Sequence, residues 1–91
     1  MDFEWDPGKA ETNLRKHAVA FAEASTVFGD DLAITVPDPD HSDAEDRYIT
    51  IGWSTFRRLL MVSHTDRDGK IRIISARELT RTERKDYEEA N

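Results

Sequence analysis

The stretch RYITIGWSTFRRLLMVSHTDRDGKIRIISARE, residues 47–78, fixes the reading of the fold. It holds three apolar runs with strand character: Tyr48, Ile49, Ile51 and Trp53, then Leu59 to His64, then Ile71 to Ala76. The links, Ser54–Arg57 and Thr65–Lys70, are too short for a crossover, since a parallel pair needs roughly a dozen residues or more between its strands. The three runs are therefore expected to form an antiparallel meander. Leu59 and Met61 point to one side of it and Leu60 and Val62 to the other, so both faces need cover. In the last run Ile71, Ile73, Ser75 and Arg77 alternate with Arg72, Ile74 and Ala76. A regular strand puts Arg72 and Arg77 on opposite faces, and only a bend brings both to one pocket.

Working outward, Leu32 to Val36 reads as one more strand, and PDPDHSDAED, residues 37–46, as an acidic turn-rich loop. Asp6-Pro7 is a helix start, with an N-cap and proline at the first helical position. Ala10, Leu14 and His17 give that helix an apolar stripe beside a polar one of Lys9, Asn13 and Lys16. A break near Ala18 precedes a second short helix carrying Val19, Phe21, Ala24, Val27 and Phe28. Thr80 and Glu83 form a capping box that starts a last helix at Arg81. Before all of these, Phe3 and Trp5 alternate as a short edge strand. The expected order is β-α-α-β-β-β-β-α. The class is α+β: two N-terminal helices, a four-stranded antiparallel sheet with an available N-terminal edge strand, and a C-terminal helix.

Ninety-one residues fit one domain, 1–91, with a limited core that self-association would supplement. The chain has no cysteine, which excludes disulfides, thiolate nucleophiles and thiolate metal sites. No apolar run approaches the roughly 20 residues of a bilayer span, and the start MDFEWDP carries acid where a signal peptide carries base. The expectation is a cytoplasmic protein with no membrane partner. The net charge of −6 opposes indiscriminate binding to a polyanion. Its distribution is uneven: residues 1–50 hold four basic groups (Lys9, Arg15, Lys16, Arg47) against twelve acidic, whereas residues 51–91 hold nine against seven. A local basic surface is available if the fold gathers it. Within it Arg77, at a strand end, is the first choice to hold a phosphate, because its planar fork of donors matches phosphate oxygens.

The opening FEWDPGKAETNLRKHAVAFAEA, the loop DPDH, the segment EDRYITIG and the ending IRIISARELTRTERKDYE together resemble the BrnT family of small bacterial toxins, whose fold is similar to that of the RelE ribonuclease toxins. These elements span nearly the whole chain. The resemblance implies a ribonuclease that stops growth and translation by cutting RNA, held inactive by a BrnA-like antitoxin that also carries the complex to operator DNA. The family pattern has KHG where this chain has Lys16-His17-Ala18. A left-handed cap there would cost alanine about 1–2 kcal/mol.

Metal-free RNA cleavage needs the 2'-oxygen to lose a proton and attack phosphorus while the 5'-oxygen leaves and gains one. His64, at the end of its strand, is the expected proton-transfer group, with Arg77 and Arg47 as its catalytic cations. Lys16, Arg72, Arg84 and Lys85 are expected to bind RNA. His17, on the apolar side of a helix near its C-terminus, reads as structural. No cofactor and no metal are expected: Asp38, Asp40, His41 and Asp43 resemble a hard-cation set in composition, but the two prolines and the missing glycine favour a solvated loop. A toxin homodimer with an antitoxin on each subunit is the expected assembly. The alternative function is a non-catalytic interaction module within a DNA-binding repressor complex.

Overall fold

The computed structural model describes residues 1–38 and 46–90. Its elements are β1 (Asp2–Trp5), α1 (Pro7–His17), α2 (Phe21–Thr26), a 3-10 turn (Val27–Gly29), β2 (Ile34–Pro37), β3 (Arg47–Trp53), β4 (Leu59–Arg67), β5 (Lys70–Glu78) and α3 (Arg81–Ala90). One sheet runs in the order β1-β5-β4-β3-β2, and β2 to β5 are antiparallel neighbours as the short links require. The N-terminal edge strand does form and makes the sheet five-stranded: β1 adds itself parallel to β5, with Phe3 opposite Ile71 and Trp5 opposite Ile73. Two helices and three strands lie between β1 and β5, so this parallel pair needs no short crossover.

The β4–β5 link is tighter than the sequence suggested. Asp68 and Gly69 alone make the turn, at φ 52° and 78°, which is the Asp-Gly signature of a type I′ hairpin. Arg67 thereby pairs with Lys70 and the ladder extends to the turn. At the other end, Leu32 is a turn residue rather than the start of β2, because the Asp30 carboxylate accepts its N–H at 3.0 Å and folds the chain locally.

Helix α1 begins as expected, with Asp6 Oδ2 accepting the Lys9 N–H at 2.9 Å and Pro7 at the first position. It does not pack through the expected Ala10, Leu14 and His17 stripe. Leu14 is 52% exposed, and the deeply buried residue of α1 is Asn13. The reason is the sheet edge. Strand β1 pairs with β5 only as far as Ile73, which leaves Ala76 on an open edge. Asn13 closes it: Nδ2 donates to Ala76 O at 2.9 Å, and Oδ1 accepts the Ala76 N–H at 3.0 Å. Nδ2 also donates to Val19 O at 2.9 Å. A leucine in that place would strand three buried backbone groups, at about 1–3 kcal/mol each.

The helix layer covers one sheet face, where Val19, Phe21, Ala24 and Val27 pack on Leu60, Val62, Ile73 and Ala76. Helix α3 crosses the other face. Thr80 Oγ1 accepts the Glu83 N–H and Glu83 Oε1 accepts the Thr80 N–H, completing the capping box. Tyr87 is buried and its hydroxyl donates to Leu32 O at 3.1 Å. This cover is partial, since Ile34 and Val36 on β2 stay exposed.

Candidate functional site

Strand β5 contains the bend that brings its two arginines together. Ser63 is opposite Ser75 but His64 is opposite Ile73, so Ile74 is an extra residue, a β-bulge. The side-chain alternation is reset there. Arg77, opposite Met61, and Arg72, opposite Thr65, consequently lie on the same face, the one that α3 crosses. Arg47 is also opposite Thr65 from the other side, so Glu4, Arg72, Thr65 and Arg47 form one row across four strands. Two strand spacings separate the backbones of Arg47 and Arg72, about 10 Å. Ser75 and Ser63 occupy the next row toward α3.

The partners of these cations differ. Arg72 Nη1 holds Glu4 Oε2 at 2.9 Å. Arg77 is not presented as an open fork: Nη1 and Nη2 donate to the two oxygens of Glu83 at 2.7 and 2.9 Å, while Nη1 also reaches Glu78 O. The Arg77 hydrogen bonds, then the Thr80 backbone N–H, hold the Glu83 carboxyl at about 2, and the same pairing raises the Arg77 guanidinium. The fork thus ties α3 to β5. Arg84 stands over the Trp53 ring at 5.1 Å with Glu88 3.8 Å away, and Lys85 projects from the same helix, exposed.

Lys16 lies elsewhere, on the wall of a groove of about 480 Å³ between α1 and the bulged part of β5. Asp6, Lys9, Thr12, Asn13, Lys16 and His17 line it from the helix side, and Ile74 and Ser75 from the strand. Lys9, Lys16 and His17 are exposed. Ser75 is common to this groove and to the arginine-bearing face, so the two surfaces meet at the bulge.

The structure does not bring His64 to either surface. It is 3% exposed and points toward the helix layer, with its ring edge-on to Phe28 at 4.9 Å and stacked on Tyr48 at 5.9 Å. Thr50 Oγ1 lies 2.8 Å from Nε2, and Thr35 Oγ1 lies 2.7 Å from Thr50. Burial pushes the imidazole below its ordinary value, which keeps it neutral. Arg47 and Arg77 lie on the opposite face, so the expected convergence of the three does not occur. His17, expected to be the structural histidine, is the exposed one. The β3–β4 register separates His64 from Arg47, because it sets Tyr48 rather than Arg47 opposite His64.

A second network has no simple signal in the sequence. Arg58, after the left-handed Arg57, donates to the buried Glu23 through Nε at 2.9 Å and through Nη2, and Nη2 also donates to Ala18 O at 2.9 Å. Ser54 Oγ adds a bond to Glu23 at 2.7 Å, and the Arg58 hydrogen bond is the main reason the carboxyl sits below its ordinary range. These contacts join the α1–α2 corner to the β3–β4 hairpin. Of the loop set, Asp38 is buried, and Asp40, His41 and Asp43 lie outside the described residues. Among the described residues no helix is long and apolar enough to cross a membrane.

Comparison with known proteins agrees with this architecture. The crystal structure of the Brucella abortus ribonuclease toxin BrnT, at 1.1 Å resolution, superposes with a TM-score of 0.71 at 25% identity, covering 89% of this chain and 99% of that one. No curated protein matches the sequence. A family model described as the ribonuclease toxin BrnT of type II toxin-antitoxin systems matches residues 5–83, which takes in strands β2 to β5, both early helices, the bulge and the Arg77–Glu83 pair. With that span matched and the α+β fold shared, the chain belongs to the BrnT family: it is an endoribonuclease toxin of a type II toxin-antitoxin system, the counterpart of an antitoxin.

Proposed function

We propose that RNA is cut at the bulge of β5, where the groove beside α1 meets the arginine-bearing sheet face, by attack of the 2'-oxygen on the adjacent phosphorus without a metal ion. The observation that carries this reading is the extra residue Ile74, which sets Arg72 and Arg77 on one face with Ser75 between them and next to Lys16. Arg72, which keeps one end of its guanidinium on Glu4 and leaves the other to a phosphate, and Arg47 flank the track from one side, and Lys16 from the other. Fixed cations there favour the phosphorane-like charge of the transition state over the ground state. Arg84 and Lys85 extend the basic track along α3. Arg77 contributes by holding α3 against the sheet, since a phosphate would have to displace a carboxylate that already fills its fork. His64 supports the sheet from the opposite face.

In this reading the protein acts in the cytoplasm, inhibits translation, and is neutralised by a BrnA-like antitoxin that brings a toxin homodimer to operator DNA. The exposed Ile34 and Val36 on β2, an edge strand among the described residues, give such partners an apolar landing site. Cleavage by the partner-free protein, with the product ends mapped, tests the chemistry. A 2',3'-cyclic phosphate facing a 5'-hydroxyl, formed equally with and without EDTA, is expected. No cleavage by folded protein overturns the proposal, and loss of cleavage in EDTA with recovery in Mg²⁺ overturns the metal-free mechanism.

A further inference from the structure

Two histidines lie among the described residues, and the fold has put them on opposite terms with solvent. His64 is enclosed, while His17 is exposed on the last turn of α1 and lines the groove at the bulge. The position of His17 is closely determined. Asn13, one helical turn earlier, is bonded through both ends of its amide to Ala76, so α1 is fixed in register against the strand residue that follows Ser75. One residue past His17 the chain leaves the helix at the left-handed Ala18, whose carbonyl is held by Arg58. Between these two anchors the side chains of Lys16 and His17 are carried beside Ile74 and Ser75. From α1 and its cap the groove presents the charged groups Asp6, Lys9 and Lys16, and from β5 only the uncharged Ile74 and Ser75. Asp6 is committed to capping the helix. Close to His17 the groove therefore presents Lys16 and the β5 backbone, with Lys9 two turns back along α1 and the Arg58 guanidinium, paired with Glu23 and Glu78, at the neighbouring Ala18 carbonyl, an environment suited to a polyanion.

We infer that His17 is the catalytic base of the cleavage reaction; this rests on the proposal that RNA is cut by 2'-oxygen attack at the bulge. The neutral imidazole takes the proton of the 2'-hydroxyl as the 2'-oxygen bonds to phosphorus. The bond from phosphorus to the 5'-oxygen breaks, and that oxygen takes a proton from the Lys16 ammonium on the same wall. His17 then returns its proton through water to Lys16, so charge and protons balance over the cycle. No redox partner is needed.

The test compares wild type, His17→Gln and His17→Ala by single-turnover cleavage of a short RNA from pH 5 to 8, beside binding of the same RNA with 2'-O-methyl groups. His17→Gln is expected to lose about a hundredfold or more in rate, to lose the acidic limb of the pH–rate profile, and to bind the blocked RNA within about threefold of wild type. Near-normal cleavage with the limb intact overturns the inference, as does loss of rate matched by loss of binding. A second measurement needs no variant: NMR titration of the His17 ring in the wild-type protein must give the midpoint of the kinetic limb, and a mismatch overturns the assignment. Wild-type protein that yields no cyclic phosphate fails the underlying proposal, whereas cyclic phosphate formed equally by wild type and His17→Gln fails only the role of His17.

Discussion

Substituting either partner of the Arg77–Glu83 pair separates two roles that the sequence leaves merged, a fork that holds phosphate and a tie that holds α3. The Glu83 carboxyl is lowered from 4.5 to about 2, first by the Arg77 hydrogen bonds and then by the Thr80 backbone. At about 1.4 kcal/mol per unit the whole shift would be worth roughly 3.5 kcal/mol. Both side chains are about one-third exposed, and the capping bond accounts for part of the shift, so the coupling attributable to the pair is about 1.5 kcal/mol. For a chain of this size that corresponds to a change in Tm of about 6–12 °C. The folded-state pKa lies below the unfolded one, so this stabilisation is fully present above about pH 4.5 and is lost as pH falls toward 2. The assay is a double-mutant cycle of Arg77→Ala and Glu83→Gln by thermal melting from pH 2 to 7, with cleavage rates at neutral pH. A coupling below about 0.5 kcal/mol at pH 7, or one that does not fade in acid, refutes the tie. A folded Arg77→Ala protein should keep its cleavage rate within about tenfold. A loss of a hundred- to a thousandfold without loss of fold would return Arg77 to the transition state, because that is the cost of removing a fixed donor from a developing oxyanion.

Ala18→Gly should raise stability by about 0.5–1 kcal/mol, since relief of the left-handed alanine exceeds the extra entropy of unfolded glycine; an unchanged or lower Tm would contradict the strained cap. Gly52→Ala should be strongly destabilising, by about 2 kcal/mol or more, because its Cβ would come within 2.8 Å of Ala33 Cβ and 3.0 Å of Asp30 Oδ2; a melt within about 2 °C of wild type would disprove the close approach. His64, held below its ordinary pKa by burial, contributes stability that is present above the unfolded value near 6.5 and declines as pH falls below it. His64→Gln should flatten the fall of Tm between about pH 6.5 and 5 while leaving RNA cleavage within severalfold, and a cleavage loss above about a hundredfold in folded protein would restore His64 as a catalytic group.

The sequence by itself determined the local elements and their order, because the signals that specify them lie within a few residues of one another. Asp6-Pro7 and Thr80–Glu83 start their helices through contacts three residues apart, and the short links force antiparallel pairing, although only the structure narrows the second link to a two-residue Asp68-Gly69 turn. The family was legible as a resemblance, carried by segments that span nearly the whole chain. Only the tertiary structure decided which cations share a surface. One unpaired residue, Ile74, reverses the facing of everything beyond it, and no local preference marks where a strand will bulge when its neighbours include a helix and a parallel edge strand. The burial of Asn13 in preference to Leu14 was equally hidden, since it answers the open backbone of Ala76, 63 positions away. The exchange of the two histidines follows from both. His64 is enclosed by the sheet parity and the helix layer above it, and His17 is exposed because α1 was turned to spend Asn13 on the edge of β5.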